Sequence, residues 1–301
     1  MNGFSLHPAL FFIGGAVLIP FLKNRLQHIY MLILPVLAFL SLITLANGEY
    51  WQFSFLQYQI TPGHLDNLSR IFLYIFSIIT FIAVLFALNS GDTVQFVSAF
   101  IYAGGALGVT LAGDFFTLYV FWEVMAIAST FLILARKTKS AQTAAFRYVL
   151  VHLFGGLCLL AGIMLHVMNT GSIELAHLEL TSLSAVLIFV GVAVNAAVPP
   201  LHPWLKDAYP EATVAGSVFL SAFTTKSAVY VMARLFAGTP HLIYLGAFMT
   251  VFPIFYAVLE NDIRRVLSYS LINQVGFMLC GVGIGTTLAI NGTAAHAVGH
   301  I

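Results

Sequence analysis

The chain has 301 residues, of which 60% are hydrophobic and 8% charged, with a formal net charge of +1. Soluble domains are about 45–50% apolar and about 25% charged, so a water-facing globule is excluded, and the charge balance gives no support to a nucleic-acid partner. The bilayer is the solvent for most of the chain, and the expected fold class is all-α, a polytopic transmembrane helical bundle.

A span needs about 20 mostly apolar residues. Apolar runs broken by polar, proline or glycine punctuation predict spans at 6–22, 29–46, 68–88, 94–112, 114–134, 148–168, 183–200, 213–236, 242–259 and 266–285. Nothing basic precedes the first run, and Lys23 and Arg25 follow it, so it is expected to be a retained span rather than a signal peptide. Cys158 and Cys280 lie inside apolar helices without pair or metal spacing and are expected to pack. The seventh run ends at Pro199, Pro200 and Pro203, with Pro210 following. Proline removes backbone donors and stops or kinks helices. Both a broken helix beside an ion path and an ordinary helix end near Lys206 and Asp207 fit this run. After Gly292 the residues Thr293 to Ile301 start another predicted helix. Nine residues rise only about 13.5 Å against a core of about 30 Å, which would leave carbonyls open in lipid. A fragment, or a chain completed by another, is the expectation.

Loop charge gives the bundle a direction. The loops at 22–29, 134–148, 200–213 and 259–266 fall on one side and hold Lys23, Arg25, Arg136, Lys137, Lys139, Arg147, Lys206, Arg264 and Arg265, nine of the twelve basic residues. The opposite loops, 47–67, 169–182 and 286–292, hold none and carry Glu49, Asp66, Glu174 and Glu179. The positive-inside rule then makes the first set cytoplasmic and the N-terminus external, in a multi-pass cell-membrane protein, expected in a bacterial cytoplasmic membrane. Three basic residues remain. Arg70 and Arg234 lie at outer helix ends, where they are expected to snorkel; Lys226 has no such route.

Two formal charges are therefore deep. Glu123 is about 13.5 Å into the fifth predicted span, and Lys226 about 12 Å from Arg234 on the eighth. A charge at a helix centre costs about 2.5–3.5 kcal/mol on insertion scales, and such residues normally face a bundle interior or wet cavity. Burial disfavours the charged form of each group and mutual approach favours it, so a movable Glu123/Lys226 pair can take up and release protons; a static ion pair is the alternative. Neutral polar residues extend this set: His152 and His166 on the sixth span, Asn195 on the seventh, Asn273 and Gln274 on the tenth, and His296 and His300 at the end. Histidine titrates near neutral pH and suits a relay. His296 and His300 share one helical face; a proton path and helix–helix hydrogen bonding both fit them, while a metal site lacks a third ligand. His152 is read as glue or relay.

Five stretches resemble the antiporter-like membrane subunits shared by complex I, membrane-bound hydrogenases and Mrp cation/proton antiporters, most of all the D-type Mrp subunit. They are GDFFTLYVFWE (113–123), PPLHPWLKDAYPEA (199–212), AGSVFLSAFTTKSAVYVMARL (215–235), DIRRVLSYSLINQVGF (262–277) and AHAVGHI (295–301), in the family's order. The resemblance implies about fourteen helices with two inverted five-helix repeats, each with a broken helix. The first repeat would occupy 94–260 of a single transmembrane domain 1–301, and most of the second would lie beyond it. It implies a gating role for Glu123, a proton-storing role for Lys226, and a central relay opened by His296 and His300. One departure stands out: the family's usual lysine on the broken seventh helix is here Asn195, whose amide hydrogen-bonds but carries no proton.

The resulting expectation is a proton-translocating subunit of a hetero-oligomeric complex, with monovalent cation (Na+)/proton antiport. A proton-pumping subunit of a quinone oxidoreductase or hydrogenase, and a non-conducting structural subunit, are the alternatives; a stand-alone solute permease has no pocket signal. No cysteine cluster or phosphate loop indicates a cofactor, so redox chemistry would belong to partners.

Overall fold

The computed structural model describes residues 6–89 and 92–301. They form α1 (Pro8–Leu18, continued by a 3-10 turn, Ile19–Phe21), α2 (Asn24–Thr44), short strands β1 (Gly48–Tyr50), β2 (Phe53–Phe55), β3 (Tyr58–Ile60) and β4 (Gly63–Leu65), then α3 (Asn67–Ala87), α4 (Thr93–Leu111), α5 (Phe115–Leu134), α6 (Lys139–Thr170), α7 (Leu183–Asn195), α8 (Pro203–Ala208), α9 (Val214–Leu235), α10 (His241–Leu259), α11 (Ile263–Ile284) and α12 (Thr287–His300). Among the described residues eight helices, α2 to α6 and α9 to α11, are long and apolar enough to cross a membrane; Pro8–Phe21 and α7 are apolar but shorter. The chain is a multi-pass membrane protein with a helical bundle fold.

Each predicted apolar run falls on a helix, but three loops differ. The 134–148 loop shrinks to 135–138, because the Thr138 side chain accepts the Ala141 N–H and starts α6 early. At 32 residues α6 is about 48 Å long and outreaches a core of about 30 Å, so its Lys139–Arg147 turns project beyond it. The 286–292 loop is helical: Gly285 closes α11 with a left-handed φ of 69°, and the Thr286 side chain caps α12 at once by accepting from Ala289 N. The last helix thus begins at Thr287, ahead of the expected Thr293. The 47–67 connection forms two nested antiparallel pairs, β1 with β4 and β2 with β3. Asp114 pins them to the bundle, accepting from Thr61 N at 2.8 Å while capping α5 through Thr117 N at 2.8 Å.

The seventh run is a broken helix. α7 ends at Asn195, the chain passes through Pro199 and Pro200, and α8 resumes at Pro203. The Trp204 indole folds back, donating to the Val194 carbonyl at 2.9 Å.

The interior is built on α4 and α9, whose spans are 83% and 78% buried, against 22% for α10 on the periphery. Small residues on α4, among them Ala99, Ala103, Gly105 and Ala106, allow this close approach. A Cβ at Gly105 would lie 3.0 Å from the Met125 backbone nitrogen of α5. Arg70 and Arg234, expected to snorkel, are instead tied down. Arg70 donates to the Leu42 and Leu45 carbonyls, and Arg234 pairs with Asp66 at 2.6 Å. Helix-end carbonyls and an N-cap aspartate lie closer than bulk water.

Candidate functional site

Glu123 points from α5 toward α6. Its carboxyl lines a cavity of about 340 Å³ together with His152, Thr130 and apolar residues such as Ile127 and Leu153. Gly156 of α6 makes room for it, since a Cβ at that position would collide with Oε1. One turn earlier, His152 Nδ1 meets the Tyr148 carbonyl at 3.0 Å, and its Nε2 is buried without a protein partner. Glu123 Oε1 is likewise buried and unpartnered.

Lys226 is fully buried in α9. Its Nζ donates to the Ser221 carbonyl at 2.8 Å and faces a second, larger cavity of about 530 Å³. This cavity is lined by serines 217, 221, 268 and 270, by Tyr209 and by His300, and it extends to Arg264 near the basic end of the bundle. Arg264 is held there by the carbonyls of Ala212 and Thr213 and by the Ser217 hydroxyl. His300 and His296 stack in parallel one turn apart, ring centroids 6.4 Å, and His296 meets Gln274 Oε1 at 2.8 Å.

The structure thus gathers the residues singled out from sequence into two groups: Glu123 with His152, and Lys226 with His300 and His296. It does not pair Glu123 with Lys226. Neither forms an ion pair among the described residues, so Lys226 is not the static partner of Glu123. Asn195 ends α7, buried, with Nδ2 unpartnered. His166 lies elsewhere, edge-on to Phe115.

Buried polar groups in proteins are almost always hydrogen-bonded, and exceptions call for an explanation. Among the described residues ten buried side-chain atoms lack a protein partner, and four of them belong to Glu123, His152, Asn195 and His300. Both cavities are roomy enough for chains of water. What sequence reasoning missed lies between the cavities: Tyr102, Tyr148, Tyr209, Thr224 and Trp204. Aromatic and threonine residues in apolar helices read as packing, and nothing in their spacing marks them out.

The chain's residues 112–301 match the model of the NADH:quinone oxidoreductase/Mrp antiporter transmembrane family. The chain belongs to that family. The D-type subunit of the Na(+)/H(+) antiporter of Alkalihalophilus pseudofirmus is 31% identical over 221 residues, covering 67% of this chain and 45% of the relative. The N-type subunit of the NADH-quinone oxidoreductase of Desulforudis audaxviator is 31% identical over 228 residues, 68% of this chain and 45% of the relative. The chain therefore spans about half the length of these curated relatives. Among solved structures, a chain of the Mrp complex from Dietzia superposes with a TM-score of 0.86 at 24% identity, covering 97% of this chain and 35% of that one, a likeness of fold. Glu123, Asn195, Lys226, His296 and His300 lie inside the matched segment.

Proposed function

We propose that this chain is a proton-translocating, antiporter-like subunit of a multi-subunit membrane complex that exchanges Na+ for protons. The observation that carries the proposal is the division of buried ionisable groups between two cavities, with unpartnered polar atoms facing both. A solely structural bundle gains nothing from buried groups left unsatisfied, each of which costs about 1–3 kcal/mol. In this reading Glu123 is the gating carboxyl and Lys226 the proton-storing amine, with His152, His296 and His300 as relay groups. Five spans, α4, α5, α6, the broken α7–α8 and α9, are the first repeat of the family fold, one fewer than residues 94–260 enclose. The basic loops face the cytoplasm, the N-terminus faces outward, and other hydrophobic subunits complete the assembly.

The test is proton flux in liposomes carrying the whole complex. Glu123→Gln and Lys226→Ala are each expected to slow Na+-coupled flux by about 100-fold or more, the scale of losing a proton-transfer group. Wild-type flux in both variants would contradict the proposal. A second reading, a subunit of a redox-driven pump, is favoured by the equal 31% identity to the quinone oxidoreductase subunit. It predicts proton movement driven by electron transfer and indifferent to Na+.

A further inference from the structure

Resting on the proton-translocating reading above, the two cavities need a connection, because Glu123 and Lys226 do not meet. Four hydroxyls fill the gap. Tyr102 of α4 reaches into α9, its hydroxyl 2.6 Å from the Thr224 hydroxyl, with either oxygen able to donate. The same phenol accepts the Thr224 backbone N–H at 2.9 Å and reaches the Leu220 carbonyl at 3.4 Å. It is thus inserted into the α9 ladder one turn before Lys226, beside the Ser221 carbonyl that holds Lys226 Nζ.

Tyr148 and Tyr209 approach the same point from opposite sides. The Tyr148 ring stacks on His152 with centroids 3.8 Å apart, which joins it to the Glu123 cavity. Its hydroxyl lies 2.8 Å from Ser129 Oγ and within interaction range of Thr224. Tyr209 lines the Lys226 cavity. Its hydroxyl is buried without a hydrogen-bond partner and lies near enough to Thr224 and Tyr102 to interact with them. Trp204 packs edge-on against both His152 and Tyr209, centroids 4.6 and 5.6 Å, and fixes the cluster to the end of α7 through Val194.

We propose that the buried hydroxyls of Tyr148, Thr224, Tyr102 and Tyr209 form an uncharged proton relay joining the Glu123–His152 cavity to the Lys226–His300 cavity. A hydroxyl both donates and accepts. Each member takes a proton from the neighbour on one side and gives its own to the neighbour on the other, so every oxygen ends with one hydrogen. At one end the Glu123 carboxyl gives a proton to His152, and His152 passes one on to the Tyr148 hydroxyl through water in the cavity and ends neutral; at the other end Tyr209 gives one to the Lys226 amine, so a carboxylate and an ammonium are the only charges created. No member carries lasting charge, which suits a site with no counter-ion.

Thr224 decides the matter, because valine keeps its volume and serine keeps its hydroxyl. In the whole complex in liposomes, Thr224→Val is expected to lower proton flux about tenfold or more, and Thr224→Ser to stay within about twofold of wild type. Tyr148→Phe, which keeps the ring, is expected to follow Thr224→Val and carries the decision if Thr224→Val does not assemble. Thr80→Val, at a buried hydroxyl bonded only to the Phe76 carbonyl of its own helix, serves as the control with unchanged flux. Wild-type flux in Thr224→Val and Tyr148→Phe, while Glu123→Gln is inactive, overturns the relay and leaves the transport reading intact. Wild-type flux in Glu123→Gln and Lys226→Ala as well overturns the transport reading itself.

Discussion

The two cavities solve the problem of a buried ionisable group in opposite ways. Around Glu123 the walls are mostly apolar, and Ile127, Phe131, Val149 and Leu153 are also exposed on the flank of the bundle. Around Lys226 the walls are hydroxyl-rich, and the cavity runs to Arg264 at the basic end. Lys226 thus faces a cavity that carries hydroxyls toward the basic end, whereas the polar neighbours of Glu123 in its cavity are His152 and Thr130. Position within an apolar run, which is all that hydropathy reports, does not separate them; the full burial of Lys226 against the partial burial of Glu123 and the polarity of the surrounding surface do.

The comparison can be broken most forcefully at the small residue that admits Glu123. Gly156→Ala places a methyl against Oε1, and the carboxyl must move away from His152. Flux in the assembled complex is expected to fall about tenfold, with Lys226 untouched; an unchanged rate would mean that the carboxyl position is irrelevant.

A second way tests accessibility. In a background with Cys158 and Cys280 replaced by alanine, Lys226→Cys is expected to react with a water-soluble thiol reagent supplied from the basic side about tenfold faster than Glu123→Cys, because thiol modification follows access and thiolate fraction. Equal rates would erase the distinction between the cavities.

Asn195, at the buried end of α7, sharpens the comparison from outside both cavities. Its buried, unpartnered Nδ2 predicts that Asn195→Lys assembles and alters the pH dependence of flux. Failure to assemble would mark a dry, packed site that rejects a charge at a cost of several kcal/mol.

The smallest effect lies outside the membrane-spanning segments, at the Asp66–Arg234 pair. Burial raises the Asp66 carboxyl, but hydrogen bonds from Arg234 and Ser69 and the Arg234 charge outweigh it and hold the group below its ordinary range. A depressed carboxyl contributes stability above its unfolded value, near pH 3.9, that is lost as pH falls through the folded value. Asp66→Asn is expected to cost about 1–2 kcal/mol at pH 7 and progressively less as pH falls below about 3.9, measured by denaturant titration in detergent. An equal cost across that range would assign the loss to packing.

Several of these features were legible in the chain and others were not, for physical reasons. Glu123 and Lys226 announce themselves because a charge in an apolar run is costly in lipid, and Pro199 and Pro200 mark the break after α7. The start of α12 was hidden because a Gly-Thr pair both ends one helix and caps the next, which hydropathy reads as a loop. The hairpins at 48–65 were hidden because their strands are only three residues long. Tyr102, Tyr148 and Tyr209 could not be singled out, since a phenol among apolar residues gains its role only from what faces it across three helices.

The central claim is that Glu123 changes protonation during transport in concert with Lys226. Infrared difference spectroscopy of the whole complex, poised before and during Na+-driven proton flux, reads this directly. The account predicts a protonated-carboxyl band that responds to transport, vanishes in Glu123→Gln and loses its response in Lys226→Ala. A complex that transports protons with no such band, or with one indifferent to Lys226→Ala, would contradict it.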